Sequence, residues 1–144
     1  MKKTLILFAA LGLGASVPAA AQNVPLGYGD YVEVTSVSID DGHTVDYANF
    51  LGSKWKAQEE FAKAQGWITG YEILANPFKR PGEPDLYLIV RYRSLPDAIE
   101  MAKRDKIMHD QVKMDDTQMD ADSASRAKFR HVMGSELLQV MTIK

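Results

Sequence analysis

What most constrains this chain is how its hydropathy pattern changes period along residues 31–144, because a two-residue period marks a strand and a period near 3.6 marks a helix. Tyr31 to Ile39 alternates, with Val32, Val34, Ser36 and Ser38 on one face and Tyr31, Thr35, Val37 and Ile39 on the other, and its β-branched content predicts a strand. Asp40-Asp41-Gly42 is a turn signal. Tyr47, Phe50, Leu51, Trp55, Gln58, Phe61 and Ala62 then recur at helical spacing, predicting a helix from about Asp46, as cap, to Gln65, with Gly66 to end it. Trp67 to Ala75 alternates again, followed by the turn-rich stretch from Asn76-Pro77 to Pro81-Gly82-Glu83-Pro84. Leu86 to Arg93 places Leu86, Leu88, Val90 and Tyr92 on one face and Tyr87, Ile89, Arg91 and Arg93 on the other, so it pairs most simply with the preceding strand as a hairpin. Ser94-Leu95-Pro96-Asp97 reads as a capping box opening a second helix, with Leu95, Ala98, Ile99 and Ala102 inward and Met108 and Val112 continuing less regularly. Asp115, Asp116, Asp120 and Asp122 interrupt it, a further helical piece runs from about Ser123 to Met133 with Gly134 closing it, and Leu137 to Ile143 is the last strand.

Ahead of this pattern, Lys2 and Lys3, the apolar run Leu5 to Leu13, and Pro18-Ala19-Ala20-Ala21 before Gln22 stand in the order of a secretory signal. Residues 1–21 are therefore expected to be a signal peptide cleaved near Ala21, residues 22–30 a Gly/Pro-bearing lead, and residues 31–144 one domain, periplasmic or secreted. The apolar run is far short of the roughly twenty residues a spanning helix needs, so no membrane span is expected after signal removal. The chain has no cysteine. That excludes a disulfide framework, a thiol nucleophile, iron–sulfur ligation and a thiolate zinc site. The balance is acidic, with 19 Asp and Glu against 17 Lys and Arg, and Arg91, Arg93, Lys103, Arg104 and Lys106 alternate with acids, which argues against a nucleic-acid partner.

The order strand, helix, strand, strand, broken helix, strand is that of a ferredoxin-like β-α-β-β-α-β domain. It predicts an α+β fold with one four-stranded antiparallel sheet and both helices on one face. A helix carrying Tyr47, Phe50, Leu51 and Trp55, a strand ending Val90-Arg91-Tyr92-Arg93-Ser94, and then Leu95-Pro96-Asp97-Ala98 resemble the dimeric α+β barrel superfamily over about Tyr31 to Lys144. The resemblance implies a homodimer in which two sheets face each other and a pocket lies between each sheet and its helices. Members include small monooxygenases, haem-degrading enzymes, isomerases, stress-responsive proteins and ligand sensors, so the fold does not fix the function. Haem-degrading members place an iron-binding histidine in the second helix, where His109 stands here. They also use an Asn on the first strand and a Trp on the third, and this chain has neither.

Among candidate site residues, His43, His109 and His131 are too far apart in sequence for two of them to share one helical face as metal ligands. The acids at 115, 116, 120 and 122 lack the central Gly and the twelfth-position acid of a calcium loop and are expected to be a solvated, helix-breaking loop, so no metal site is expected. Glu59 and Glu60 diverge on a helix and make no acid/base pair unaided. Tyr47, Trp55, Trp67, Tyr71, Tyr87 and Tyr92 are core or pocket lining. Arg91, on an otherwise apolar strand, reaches solvent at the sheet rim or clamps an anion. No cofactor is evident. These features predict an exported dimer binding a small apolar or aromatic molecule through Trp55, Tyr71, Tyr87 and Arg91. The alternative is a cofactor-free monooxygenase or haem-related enzyme in which His109, Trp55 and Tyr71 are the catalytic suspects.

Overall fold

The computed structural model describes residues 24–144. The proposed signal segment and the start of the lead lie outside the described residues. Strand β1 runs Leu26–Ile39 and is followed by α1 (Thr44–Phe50), a π-helical turn (Leu51–Trp55) and α2 (Lys56–Ala64). Then come β2 (Gly70–Ala75), β3 (Leu86–Tyr92), α3 (Ala98–Val112), α4 (Asp116–Arg126) and β4 (Arg130–Ile143). The four strands form one antiparallel open sheet in the order β2-β3-β1-β4. An α+β fold with a four-stranded antiparallel sheet is thus as expected from the sequence.

Register decides what each face carries, because directly paired residues point the same way. Val37 pairs with Leu86 and Thr35 with Leu88, while Ile73 pairs with Leu88 and Tyr71 with Val90. This is the face that meets the first helix. Val37, Tyr47 and Leu51 form a buried cluster here, with Ile39, Phe50, Trp55, Leu86, Leu88 and Phe129 packed around them, while Val32 and Ile89 are buried on the other face. Burying an apolar side chain of this size is worth roughly 1.5–3 kcal/mol, so these contacts hold helix to sheet.

α1, the π turn and α2 are one continuous helix whose backbone stays right-handed at both junctions. Its wide turn sits where Gly52 and Ser53 weaken the regular ladder, with the Ser53 hydroxyl donating to the Asn49 carbonyl and the Lys56 amide to the Leu51 carbonyl. Leu51 opens that turn inside the core, and Trp55 closes it against the sheet.

Several local expectations are corrected. β1 starts at Leu26, so most of the lead is strand, paired with β4 from Leu26↔Ile143 onward. β2 starts at Gly70, because the Trp67 amide turns back to the Ala62 carbonyl at the helix end, and the chain meets β3 only from the Thr69 amide, which donates to the Arg91 carbonyl. The first helix begins at Thr44, and Asp46 accepts from the His43 ring at 2.8 Å instead of capping. Asp97, not Ser94, caps α3, accepting from the Glu100 amide at 2.8 Å.

Leu95 and Ile99 are exposed, the latter at 83%, and α3 turns Arg104 and Ile107 partly inward, together with Met108 and Val112, which were expected there. α3 ends at Lys113, whose φ of 56° is left-handed. Asp115 then starts α4 with a reciprocal box to Gln118, so the acids expected to be a loop open a helix. β4 begins at Arg130, and Gly134, expected to close a helix, lies in that strand opposite Ser36, beside a bulge, with φ of 156°.

Candidate functional site

A cleft of about 710 Å³ opens between the first helix and the sheet. Leu51 and Trp55 from the π turn form one wall, Tyr71 and Ile73 from β2 the other, and Ile39 and Leu86 the floor. Trp55 and Tyr71 meet edge to face, ring centres 5.3 Å apart at 90°. That arrangement aligns the positive edge of one ring with the electron-rich face of the other and leaves the remaining faces available to a ligand. The Tyr71 hydroxyl donates to Glu60, and this bond raises the phenol's pKa, so Tyr71 stays a donor.

At the far end Asp85 accepts from the Ile39 amide at 2.9 Å and pairs with Lys79 at 2.6 Å. Burial pushes its carboxyl up, but these donors outweigh it and hold Asp85 below the usual carboxylate range. Thr44, Lys56 and Glu72 complete the rim. The cleft is therefore apolar and aromatic in its body and polar at its edges, which suits a small molecule with few polar groups.

Of the sequence-predicted residues, Trp55 and Tyr71 come together here, and Arg91 and Tyr87 do not join them. Arg91 pairs with Gly70 and Tyr87 with Leu74 in the β2–β3 ladder, which puts both on the face opposite Tyr71. Arg91 is half-exposed there and forms an ion pair with Glu72 at 2.6 Å. His109 lies at the α3–α4 junction, where Nε2 is 3.0 Å from Asp116 Oδ1. Among the described residues no group of three or more His, Cys, Asp or Glu side chains is arranged to hold a metal ion.

A second cleft, of about 510 Å³, opens further along the same helix and the same sheet face. The Tyr92 hydroxyl donates to Glu33 Oε2 at 2.7 Å across β1 and β3. Glu59 on α2 lines the same space, and burial, with the nearby Glu33 charge, pushes its carboxyl up to about 7. Burial and the Glu33 bond likewise raise Tyr92. Sequence reasoning missed this group because it tested Glu59 only against its neighbour Glu60, which bonds Tyr71 instead. The legible signal was Glu33, a carboxylate sharing strand parity with Thr35, Val37 and Ile39.

Comparison with protein-family models, with curated proteins and with solved structures finds no match to this chain. Among the described residues, no helix is long and apolar enough to cross a membrane.

Proposed function

We propose that this is an exported, dimeric α+β barrel protein of ferredoxin-like topology that binds a small apolar or aromatic molecule between sheet and helices, with Trp55 and Tyr71 as the main contacts. The observation that carries the reading is the apolar cleft of about 710 Å³ in which those two rings meet edge to face. A strand order of β2-β3-β1-β4 around a β-α-β-β-α-α-β chain supports the topology. Dimerisation is supported by β4, an edge strand whose apolar side chains stay exposed on both faces: Leu137 at 52% and Leu138 at 49%. An uncovered edge of that composition invites a second copy. The haem-related alternative draws less support, since His109 is engaged with Asp116 and lines neither cleft.

The test is titration of purified protein with N-phenyl-1-naphthylamine, whose fluorescence rises on entering an apolar site. Saturable binding at one probe per chain, weakened at least tenfold in Trp55→Ala and in Tyr71→Ala, is the expected result. Binding that is absent, or indifferent to both substitutions, overturns the reading. A haemin Soret shift lost in His109→Ala would move the assignment to the enzyme alternative.

A further inference from the structure

The second cleft differs from the first in chemistry as well as place. Its body is apolar and aromatic, formed by Trp67, Ile68, Met101 and Leu137, but two carboxyls, Glu33 and Glu59, face its interior beside Tyr92. Glu33 has the Tyr92 hydroxyl as its partner. Glu59 has a half-buried position against Glu33 and accepts no hydrogen bond from another side chain among the described residues. Bringing two part-buried carboxyls together against aromatic rings favours a positive group between them. The obvious candidate within the chain, Arg104, is not that group. Its guanidinium lies over the Trp67 ring at 5.5 Å and is held by Glu100 at 2.9 Å. The remaining charged group on the lining is Glu136, another acid, from β4.

We propose that this cleft is a second ligand site, independent of the Trp55 cleft, that takes a small organic cation with an aromatic or branched apolar body. Glu33 and Glu59 neutralise the cationic head, while Tyr92 offers a ring face to which a cation is attracted. The apolar walls take the body, and a cavity of about 510 Å³ accommodates a molecule the size of a benzylammonium.

Glu59 gives such a site a built-in pH response. Its carboxyl holds a proton up to about pH 7, and a cation binding beside it displaces that proton. Affinity should therefore climb as pH rises through 7 and level off above it. The groups facing Glu59 from the surrounding elements are Glu33 on β1, Tyr92 on β3, Arg104 on α3 and Glu136 on β4, with no histidine among them.

Isothermal titration with benzyltrimethylammonium, whose charge does not titrate, tests the proposal. At pH 8 it should bind once per chain, roughly tenfold more tightly than at pH 6, in line with the ionised fraction of a group titrating near 7. Phenylacetate, of similar body and opposite charge, should not bind there. Glu59→Gln should weaken binding at pH 8 at least tenfold and abolish the difference between pH 6 and pH 8. Met101→Trp, which fills the cleft from an exposed position on α3 and leaves every charge in place, should block binding at both pH values. N-phenyl-1-naphthylamine in the Trp55 cleft should not be displaced, so the two sites fail or stand separately. No binding at pH 8, equal affinity at both pH values in the unsubstituted protein, or unweakened binding in both variants would each overturn it.

Discussion

Where the first helix crosses the sheet, Tyr47 and Leu51 are nearly sealed from water and Val37 beneath them is fully so. On β4, Leu137, Leu138, Val140 and Met141 remain 40% exposed or more, and neither α3 nor α4 contributes a single buried residue. Both regions are rich in apolar side chains, so composition does not separate them. The difference is in what covers them. The first helix closes a core by itself, whereas the β4 edge presents apolar surface that no other described residue covers. A domain of this length normally buries about two-thirds of the surface that its unfolded chain exposes. The imbalance motivates the proposal of a second copy, which would complete at β4 what the first helix completes at β3.

The largest expected effect lies in the sealed region. Tyr47→Ala should cost about 3–5 kcal/mol, read as a fall in the urea midpoint, because it empties the centre of the only buried cluster among the described residues. Ile99→Ala on α3 should change stability by less than about 0.5 kcal/mol. Comparable losses at the two positions would break the contrast. Next is Leu138→Lys, on the exposed face of β4. It should halve the mass seen by light scattering and leave the circular dichroism spectrum unchanged, since Leu138 contributes to no buried cluster within the chain.

A smaller effect of distinctive sign belongs to Glu59. Its folded-state pKa is raised from 4.5 to about 7, so folding is undisturbed by this group below pH 4.5, and stability is lost as pH rises through 7. Glu59→Gln should therefore match the unsubstituted protein at pH 4 and exceed it at pH 8. A gain of about 1–2 kcal/mol is expected, less than the full shift would give because water still reaches the group. A loss of stability at pH 8 would contradict the burial described for this carboxyl. Smallest of all is Arg91→Lys. Both members of the Arg91–Glu72 pair are 45% exposed, and such pairs contribute 1 kcal/mol or less, so a change within about 0.5 kcal/mol is expected. Thermal shifts by aromatic and fatty carboxylates should also be equal in the two proteins. A carboxylate shift lost in Arg91→Lys would restore this residue as an anion clamp.

The strands and the first helix were legible because their periods were clean. Val37, Ile39, Leu86 and Leu88 alternate, and Tyr47, Leu51 and Trp55 recur by turns. Between Leu95 and Gly134 the broken second helix was legible, but its caps, its inward face and its end were not, for a physical reason. α3 and α4 are weakly amphipathic, and their ends are set by polar caps at Asp97 and Asp115 and a left-handed Lys113. Acids can open a helix as readily as interrupt one, and apolar periodicity does not say which. Of the site, Trp55 and Tyr71 were legible as aromatics on facing elements. Arg91 and Tyr87 shared their chemistry but not their sheet face, because strand parity separates them from Tyr71 once the β2–β3 register is fixed. The Glu33–Tyr92–Glu59 group joins residues from β1, β3 and α2, and only the register brings Glu33 and Tyr92 within hydrogen-bonding distance.

The proposed function joins two properties, a dimer and an apolar ligand in each subunit's Trp55 cleft. Sedimentation velocity of the purified protein with N-phenyl-1-naphthylamine, recorded at the probe's own absorbance and at that of the protein, tests both parts together. One boundary at twice the chain mass is expected, with probe and protein moving together at one probe per chain, and no co-moving probe in Trp55→Ala. A concentration-independent monomer with the probe left at the meniscus would contradict it.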